Sequence, residues 1–569
     1  MTTQGARPLS LLAQKQEELL RTFINVKQYD KLLFFLESTL FNNAPTLNCP
    51  SPFVINCLFT LATLGEYNNA GLIRKNFEKP LSQQPVSVRA INILRRLVNI
   101  VKELDEDVKD EKSNFGGVKY DQEDIIHTQE QLIGSLKLIR SDKGRFLRPR
   151  SIQKAYKEKT AEELDEFDKK GSDSDSMMVN STDWSPQKKL LERNFDRLKP
   201  SAAEDESESE SEGEGSLDRK SYYILRNERF DIALQGDGFW NAVAWALQCS
   251  STKDNLNLEA WNVWKPILEL IFDIIEIDLD QFITRKTNNE DDENGEPALF
   301  KNTLIYQFHV RAGYYPIHKV AEHIFTNSKS GIKPIFVNEL QKAKSVFLVK
   351  PIGESVHQEG EFSWGSMKFR KRLYHLTAKA IYHSDLEHAT KQHRWSLRDL
   401  ARNVTENLLK CSYSDFRLFF ILEKEEIKED WRLQLLLDII FDFLVQINTF
   451  IFNLPDPTWI YDQNPDILEM FLTNVTYEKK YYDQNESGAR KMVEDYSKLN
   501  LALYLLINLY TDCSGYIGHS KIKKKLIIEW SETGEAKRRK VLESVRVNDL
   551  DIDNDLFGLT KTIKLQYNL

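Results

Sequence analysis

The sequence predicts an all-α protein, an irregular, α-solenoid-like array of helices in two parts. Apolar residues recur at helical spacing along most of the chain. Leu, Ile and Phe are abundant, whereas 23 Gly and 17 Pro are few for 569 residues, which favours long helices over a turn-rich β fold. One central tract lacks the periodicity. Rich in Ser, Glu and Asp, it buries too little apolar surface to offset the entropy of ordering, so we expect a disordered acidic linker.

These changes in composition predict four regions, and a chain of this length is expected to hold about three or four domains. We expect an N-terminal helical domain over residues 1–156 and a disordered acidic Ser/Glu linker over 157–220. A C-terminal helical domain over 221–545 and an acidic and apolar tail over 546–569 follow.

The N-terminal part contains four helical stretches. Apolar residues at helical spacing predict helix within Leu11–Phe41, and Pro52–Tyr67 is a compact apolar helix with Ser51 as its expected cap. A third helix opens after Pro85, and Asp121–Arg140 repeats the pattern.

The C-terminal part contains more helices of the same character. Pro266 is expected to break or kink the helix predicted over Leu258–Phe282. Short extended pieces are predicted at Val346–Val349 and Lys525–Trp530. The predicted helices are Gly238–Gln248, Leu258–Phe282, Leu299–Phe325, Phe336–Val346, Met367–His383, Ser396–Cys411, Asp430–Asn453, Ser487–Tyr510 and Gly534–Val545.

The most apolar of these stretches, Leu433–Phe452, is predicted to be a core helix rather than a membrane span. Polar residues recur along it every fourth position, and two aspartates would be strongly unfavourable in a bilayer. Residues 1–10 carry no apolar stretch, so no secretory signal is expected there.

Net charge and cysteine usage narrow the class of protein. A net charge of −9 argues against a surface that coats nucleic acid, although a local basic patch remains open. The five cysteines are scattered and form no C-x-x-C pair, which favours a reduced, intracellular compartment.

No catalytic motif stands out, so we expect no enzyme, no cofactor and no metal. Phosphate loops, dinucleotide fingerprints, G-x-S-x-G elbows and H-E-x-x-H pairs are all missing. The alternating aspartates near Asp551 lack the Gly and Glu of a calcium loop. An enzyme of unfamiliar design would use the histidines His375, His383, His388 and His393, although their spacing does not place neighbours on one helix face.

Several segments predict regulation or contacts. Ser207, Ser209 and Ser211 alternate with acidic residues and Ser185 precedes a proline, so all four are candidate phosphorylation sites, against the alternative of an unmodified linker. Phosphate there would create a docking site for an Arg-rich pocket.

Two basic clusters have both functional and structural interpretations. Arg145, Arg148 and Arg150 lie among aromatic residues, a mixture that suits nucleic-acid backbones and bases, but a basic flank that balances the acidic linker is the alternative. A second cluster has the spacing of a two-part nuclear import signal, against a merely solvated face. It comprises Lys524, Lys525, Lys537, Arg538 and Arg539.

Two short hydrophobic–acidic segments resemble SUMO-binding strands, which add to a sheet edge. One contains Ile274, Ile275 and Ile277, and the other is Leu526–Glu529. Burial in core helices or strands is the alternative for both.

The N-terminal helices also resemble a known family. The segments Tyr29–Glu37, Leu58–Tyr67 and Ala90–Asp105 are similar to the fungal non-SMC element five subunit of the Smc five/six complex. The similarity continues at Trp240–Leu247 and Trp261–Leu270. Length, helix content and a central polar linker also fit. The long Ser-Glu tract departs from the family pattern.

The resemblance implies a non-catalytic, nuclear, chromosome-associated scaffold in DNA repair and recombination. Its partners would be the non-SMC element six subunit in a heterodimer, the SMC ATPase core, and SUMO with its conjugating enzyme. It would modulate ATP turnover, DNA loading and SUMO conjugation. The aromatic-rich helices Trp431–Phe452 and Met492–Tyr510 would supply core and partner interface. An unrelated helical interaction scaffold in RNA processing or trafficking is the alternative.

Overall fold

The computed structural model describes most of the helical part of the chain and no residue between 138 and 229. Statements below concern only the described residues, which are 11–41, 49–64, 84–107, 122–137, 230–234, 236–251, 255–290, 299–312, 316–328, 330–336, 362–384, 396–420, 430–447, 464–476, 486–517, 524–543 and 557–567.

Five helices form the N-terminal part. Their apolar faces pack against one another and form a core in which Leu32, Leu58 and Leu97 are fully buried. The predicted stretch Leu11–Phe41 is two helices, because Lys27 adopts a left-handed φ of 59° and turns the chain between them. The helices are α1 (Leu11–Asn25), α2 (Tyr29–Phe41), α3 (Pro52–Ala62), α4 (Val86–Asp107) and α5 (Gln122–Lys137).

A buried arginine joins two of these helices. Arg89 of α4 donates to Asp30 at the start of α2, and its Nη2 donates to Glu37 Oε2 at 2.7 Å. The Arg89 side chain is only 1% exposed. The two carboxylates therefore compensate a charge that water does not reach.

The C-terminal part continues the array. Pro316 begins a helix of its own, so the predicted stretch Leu299–Phe325 contains two helices after a short 3₁₀ turn. The helices are α6 (Phe230–Ala233), α7 (Gly238–Ser250), α8 (Asn255–Glu290), α9 (Leu304–Arg311), α10 (Pro316–Ile324), α11 (Trp364–His383), α12 (Leu397–Leu408), α13 (Tyr413–Phe420), α14 (Asp430–Ile447), α15 (Pro465–Asn474), α16 (Glu486–Ile517), α17 (Lys524–Glu543) and α18 (Leu559–Tyr567).

The N-terminal helices and α6–α18 pack into one compact unit. The rings of Phe59 in α3 and Phe230 in α6 stack with centroids 4.8 Å apart, and Phe230 N donates to Thr60 Oγ1 at 3.1 Å. Lys102 of α4 donates to Asp273 of α8 at 2.5 Å. Contacts between residues 170 positions apart thus connect the two parts directly.

Helix α8 continues through Pro266, so of the predicted break or kink the break does not occur, and the kink stays a prediction. A proline removes one backbone hydrogen bond from a helix. On either side of it, Trp264 and Ile267 are fully buried. The packing of these neighbours offsets the lost bond and keeps the segment helical.

The extended piece expected at Lys525–Trp530 is wrong, since these residues lie within helix α17. Its β-branched residues Ile527 and Ile528 are buried on the helix side that faces the core. No strand occurs among the described residues, so an extended segment there would have no partner for its backbone groups.

The aromatic helices expected to supply a partner interface are largely core. Trp431, Phe443, Tyr496 and Tyr510 are all at most 3% exposed. Of the described helices, none is long and apolar enough to cross a membrane.

The all-α class and the irregular array are confirmed in the described residues. The boundaries predicted at 156/157, 220/221 and 545/546 lie outside those residues, as does the acidic linker. The division into four regions therefore stays a prediction.

Candidate functional site

A cavity of about 370 Å³ opens between α8, α11 and α14, with Leu418 of α13 at one side. We call it the basic cleft. Basic side chains dominate its lining, and the carboxylates Glu269 and Glu276 oppose them. The lining cations are Lys265, Lys368, Lys371, Arg372, Lys379 and Arg432.

Helix α11 supplies most of these cations because they recur at helical spacing. Lys368, Arg372 and Lys379 follow one another at intervals of four and seven residues, which places them on one face. The start of the helix is fixed by Ser363, whose side chain accepts a hydrogen bond from Ser366 N at 3.3 Å.

Ion pairs hold part of this face against α8. Arg372 Nη2 donates to Asp273 at 2.5 Å and to Glu276 at 3.0 Å. Lys379 donates to Asp280 at 2.6 Å. Two of the cleft cations are thus oriented by carboxylates of the neighbouring helix.

His375 lies in the same lining, and its pKa reflects burial and the nearby positive charges. Burial, and to a smaller extent the positive charges of Lys371 and Arg432, lower its pKa to about 3. Its ring meets Trp431 edge-on, with centroids 6.3 Å apart. The imidazole is therefore neutral at physiological pH, and the charge of the cleft comes from lysine and arginine.

The histidines of the enzyme hypothesis do not form a metal site in the described part of the chain. His375 and His383 lie near the middle and at the end of α11, and His388 and His393 fall outside the described residues. No three metal-ligating side chains gather anywhere among the residues the structure describes.

The candidate SUMO contacts lie inside helices. Ile274 and Ile275 belong to α8 and are at most 1% exposed, and Ile277 is partly buried against the same core. The second segment, Leu526–Glu529, is part of α17. Neither has the extended conformation that addition to a sheet edge requires, so the structure agrees with the alternative of core helices.

The candidate import signal lies at the start and in the second half of α17. Lys524, Lys525, Lys537 and Arg539 are exposed. Arg538 is fully buried instead. Its guanidinium donates to Asn500 Oδ1 at 2.9 Å and to two carbonyl oxygens at the end of α15, those of Leu472 and Val475.

Close packing of α17 on α15 explains this burial. A Cβ atom at Gly534 would stand 1.8 Å from the carbonyl oxygen of Leu472. Only glycine permits this approach, which brings Arg538 within reach of the carbonyl groups at the end of α15. Arg538 thus has a structural role while α17 is folded.

The remaining predicted site residues lie outside the described residues. These are the candidate DNA contacts Arg145, Arg148 and Arg150 and the candidate phosphorylation sites Ser185, Ser207, Ser209 and Ser211.

The basic cleft was not predicted from the sequence. Its cations lie on three helices, and the first and last, Lys265 and Arg432, are 167 positions apart, so no local motif includes them. One signal was present: basic residues recur on one face of Trp364–His383.

The fold defines a class, an all-helical protein whose distinctive sequence segments form its core. The described residues of the segments that carry the predicted resemblance lie in α2, α3, α4, α7 and α8 or directly after α3. Most of their apolar side chains are buried, whereas Phe34 is exposed.

Comparison with known proteins agrees with that resemblance. The family described as "DNA repair proteins Nse5 and Nse6" matches residues 18–114 and 217–304. The chain is also 25% identical over 289 residues to "Non-structural maintenance of chromosome element 5" of Saccharomyces cerevisiae. That alignment covers 50% of this chain and 44% of the yeast protein. Over these parts the chain is similar to Nse5, which confirms the predicted resemblance to the non-SMC element five family.

Proposed function

We propose that this chain is a scaffold subunit of the Smc five/six complex, acting in DNA repair and chromosome maintenance. The observation that carries the proposal is the pair of family matches, residues 18–114 and 217–304. They are separate in sequence, and the described helices within them pack together through Phe59, Phe230, Lys102 and Asp273. Because the two matched segments share a core, the matches support common ancestry of one folded unit over a chance similarity of two separate segments.

The finer proposal concerns partners. We infer a heterodimer with the non-SMC element six subunit, binding of that pair to the SMC ATPase core, and a nuclear, chromosome-associated location. Modulation of ATP turnover, DNA loading and SUMO conjugation, with SUMO and its conjugating enzyme as partners, belongs to the same proposal. No enzymatic activity of the chain itself is proposed.

Purification from the native cell tests the assembly. A tagged full chain is expected to bring down the SMC proteins and the element six subunit in amounts close to its own, as measured by quantitative mass spectrometry. An untagged strain is the control. Recovery of RNA-processing or trafficking proteins without SMC proteins would favour the alternative scaffold and overturn the proposal.

ATP hydrolysis tests the regulatory part. The purified chain alone is expected to release no phosphate from ATP, whereas its addition to the SMC core, together with the element six subunit, should lower the turnover rate. An unchanged rate despite stable binding would contradict the regulatory role and leave the scaffold role intact.

Nuclear import through α17 is a separate proposal. The exposed residues Lys537 and Arg539 support it, whereas the buried Arg538 would be available to a receptor only if the helix opened. Replacing Lys537 and Arg539 with Ala should lower nuclear accumulation. The melting temperature should fall only slightly, because the hydrogen bonds lost from Lys537 to Thr473 O and Asn474 Oδ1 are exposed. Full nuclear accumulation of that variant would exclude this signal.

Phosphorylation of Ser185, Ser207, Ser209 and Ser211 and DNA contact by the basic arginines remain proposals from sequence. Phosphopeptide mapping of protein from its native cell tests the first. Reversal of Arg145, Arg148 and Arg150 to Glu tests the second, and an unchanged salt dependence of DNA affinity would contradict it.

A further inference from the structure

We propose that the basic cleft binds a phosphoserine side chain presented by an acidic peptide. The cleft is concave and its cavity of about 370 Å³ falls within the size range of small-ligand sites. Its lining brings Lys368, Lys371 and Arg432 together from two helices. A phosphate dianion has three acceptor oxygens, which suits a lining that contains several N–H donors.

Cations outnumber carboxylates in the lining and among the ion-pair partners described above. The lining has six cations against Glu269 and Glu276. Asp273 and Asp280 stand behind Arg372 and Lys379, and Lys102 binds Asp273 in turn. These neighbours bring the balance to seven cations and four carboxylates, which still favours an anion.

The depth of the cleft favours a phosphorylated side chain over a nucleic acid. Lys371 is only 7% exposed, so a ligand must enter the cavity to approach it. A duplex presents its phosphates on a convex surface and would reach only residues at the rim. The ring of Trp431 is 3% exposed and the Arg432 guanidinium stands 5.1 Å from its centroid, so no open aromatic face is offered for base stacking.

The sequence of this chain contains a ligand of the proposed class. Between Glu204 and Glu214, serines at 207, 209 and 211 alternate with glutamates. Each phosphorylation would add a charge of about −1.5 to −2. The 18 positions from Glu212 to Phe230 span at most about 60 Å when extended, which is long compared with a radius of gyration of about 23 Å for a compact domain of this size. The ligand chemistry is therefore available within this chain as well as from another protein.

Binding of a fluorescent peptide tests the proposal on the full chain. The probe has the sequence of residues 203–215 with phosphoserine at 207, 209 and 211, and its unphosphorylated form is the first control. Fluorescence anisotropy should show binding of the phosphorylated probe only. Lys368→Gln and Arg432→Gln should each weaken that binding about tenfold, the effect expected of one lost charge-assisted hydrogen bond.

Matched variants separate the cleft from general electrostatics. Lys301 and Lys410 are exposed lysines outside the lining, and Lys301→Gln and Lys410→Gln make the same change in net charge. They should leave the affinity within about twofold of the parent chain. Because Lys368 is exposed, its variant should keep the parent melting temperature, which distinguishes lost binding from lost folding.

Two results would overturn the proposal. One is equal affinity for phosphorylated and unphosphorylated probes, and the other is an equal loss in the cleft variants and the matched controls.

A further experiment identifies the source of the ligand. If the chain phosphorylated at its own serines binds the probe more weakly than a chain with residues 204–214 replaced by Gly and Ser, the ligand is its own segment. Equal affinity of the two would support the cleft and assign its ligand to another protein.

Discussion

The core of the N-terminal helices α1–α5 and the basic cleft differ in their balance of positive and negative charge. Helix α8 contributes to both, since it packs against α3, α4 and α5 and also lines the cleft. In the core, Arg89 is enclosed between Asp30 and Glu37, so a single buried cation meets two carboxylates. In the cleft, cations outnumber carboxylates and several face a cavity. The first arrangement compensates a buried charge within the fold, whereas the second places several cations around a cavity, where the proposed ligand would meet them.

This difference predicts that charge removal has large effects on folding in the core and small ones in the cleft. Arg89→Met should lower the free energy of unfolding by about 3–5 kcal/mol, because Asp30 and Glu37 would lose their buried partner. Denaturant unfolding monitored by circular dichroism measures it. The matched change Arg21→Met, at an exposed pair with Glu17, should cost less than about 1 kcal/mol. Equal effects at the two positions would refute the distinction.

A buried neutral group next to the cleft helix sharpens the comparison. His309 is fully buried, its Nδ1 donates to the Ile305 carbonyl at 2.6 Å, and its Nε2 lies 3.2 Å from Thr377 Oγ1 on α11. Burial lowers its pKa to about 4. Below pH 6.5 the unfolded chain binds a proton that the folded chain excludes, so stability falls as the pH falls towards 4.

Between pH 7 and pH 5 this histidine should account for about 2 kcal/mol of lost stability. Unfolding of the parent chain and of His309→Gln at pH 7, 6 and 5 measures that share as the difference between their pH profiles. Parallel profiles would show that the imidazole is not buried in its neutral form.

Asp273 stands where the two regions meet, since it accepts from Lys102 of the core and from Arg372 of the cleft. All three side chains are partly exposed, so Asp273→Asn should cost only about 1 kcal/mol of unfolding free energy. The control Glu532→Gln removes an exposed pair with Lys564 and should cost less than about 0.5 kcal/mol. A loss above about 3 kcal/mol would place Asp273 with the buried charges.

The smallest effect is expected in the cleft itself. Lys368→Gln removes an exposed charge and should change the unfolding free energy by less than about 0.5 kcal/mol, measured in the same denaturant experiment. A clear stabilisation would show that repulsion among the cleft cations outweighs the attraction of their ion pairs.

Helical periodicity predicted the fold class and most helix positions because burial of one face is a local property of the sequence. Asp430–Ile447 lies within its predicted stretch, and Gly238–Ser250 exceeds its prediction by two residues. The absence of a break at Pro266 and of a strand at Lys525–Trp530 has one cause. Local preference for a break or a strand is weaker than the packing of residues such as Trp264 and Ile527.

The cleft and the Arg538 site could not be predicted in this way, because their partners come together only in the folded chain. Arg538 belongs to an apparently solvated basic run, and the carbonyl oxygens that bind it lie more than 60 positions earlier. The same holds for Arg432, which meets α11 from a separate helix. The sequence shows which residues are charged, whereas their burial depends on contacts with distant parts of the chain.

The length and position of α8 have a consequence for biosynthesis. This helix has 36 residues, and α3, α4 and α5 all pack against it. At about 5–20 residues per second, the ribosome needs about 6–24 s to proceed from the end of α5 to the start of α8. During that interval the first five helices exist without the surface that completes them. Their apolar side chains are then open to chaperones and to aggregation, so the rate of translation through residues 138–254 becomes a determinant of the yield of folded protein.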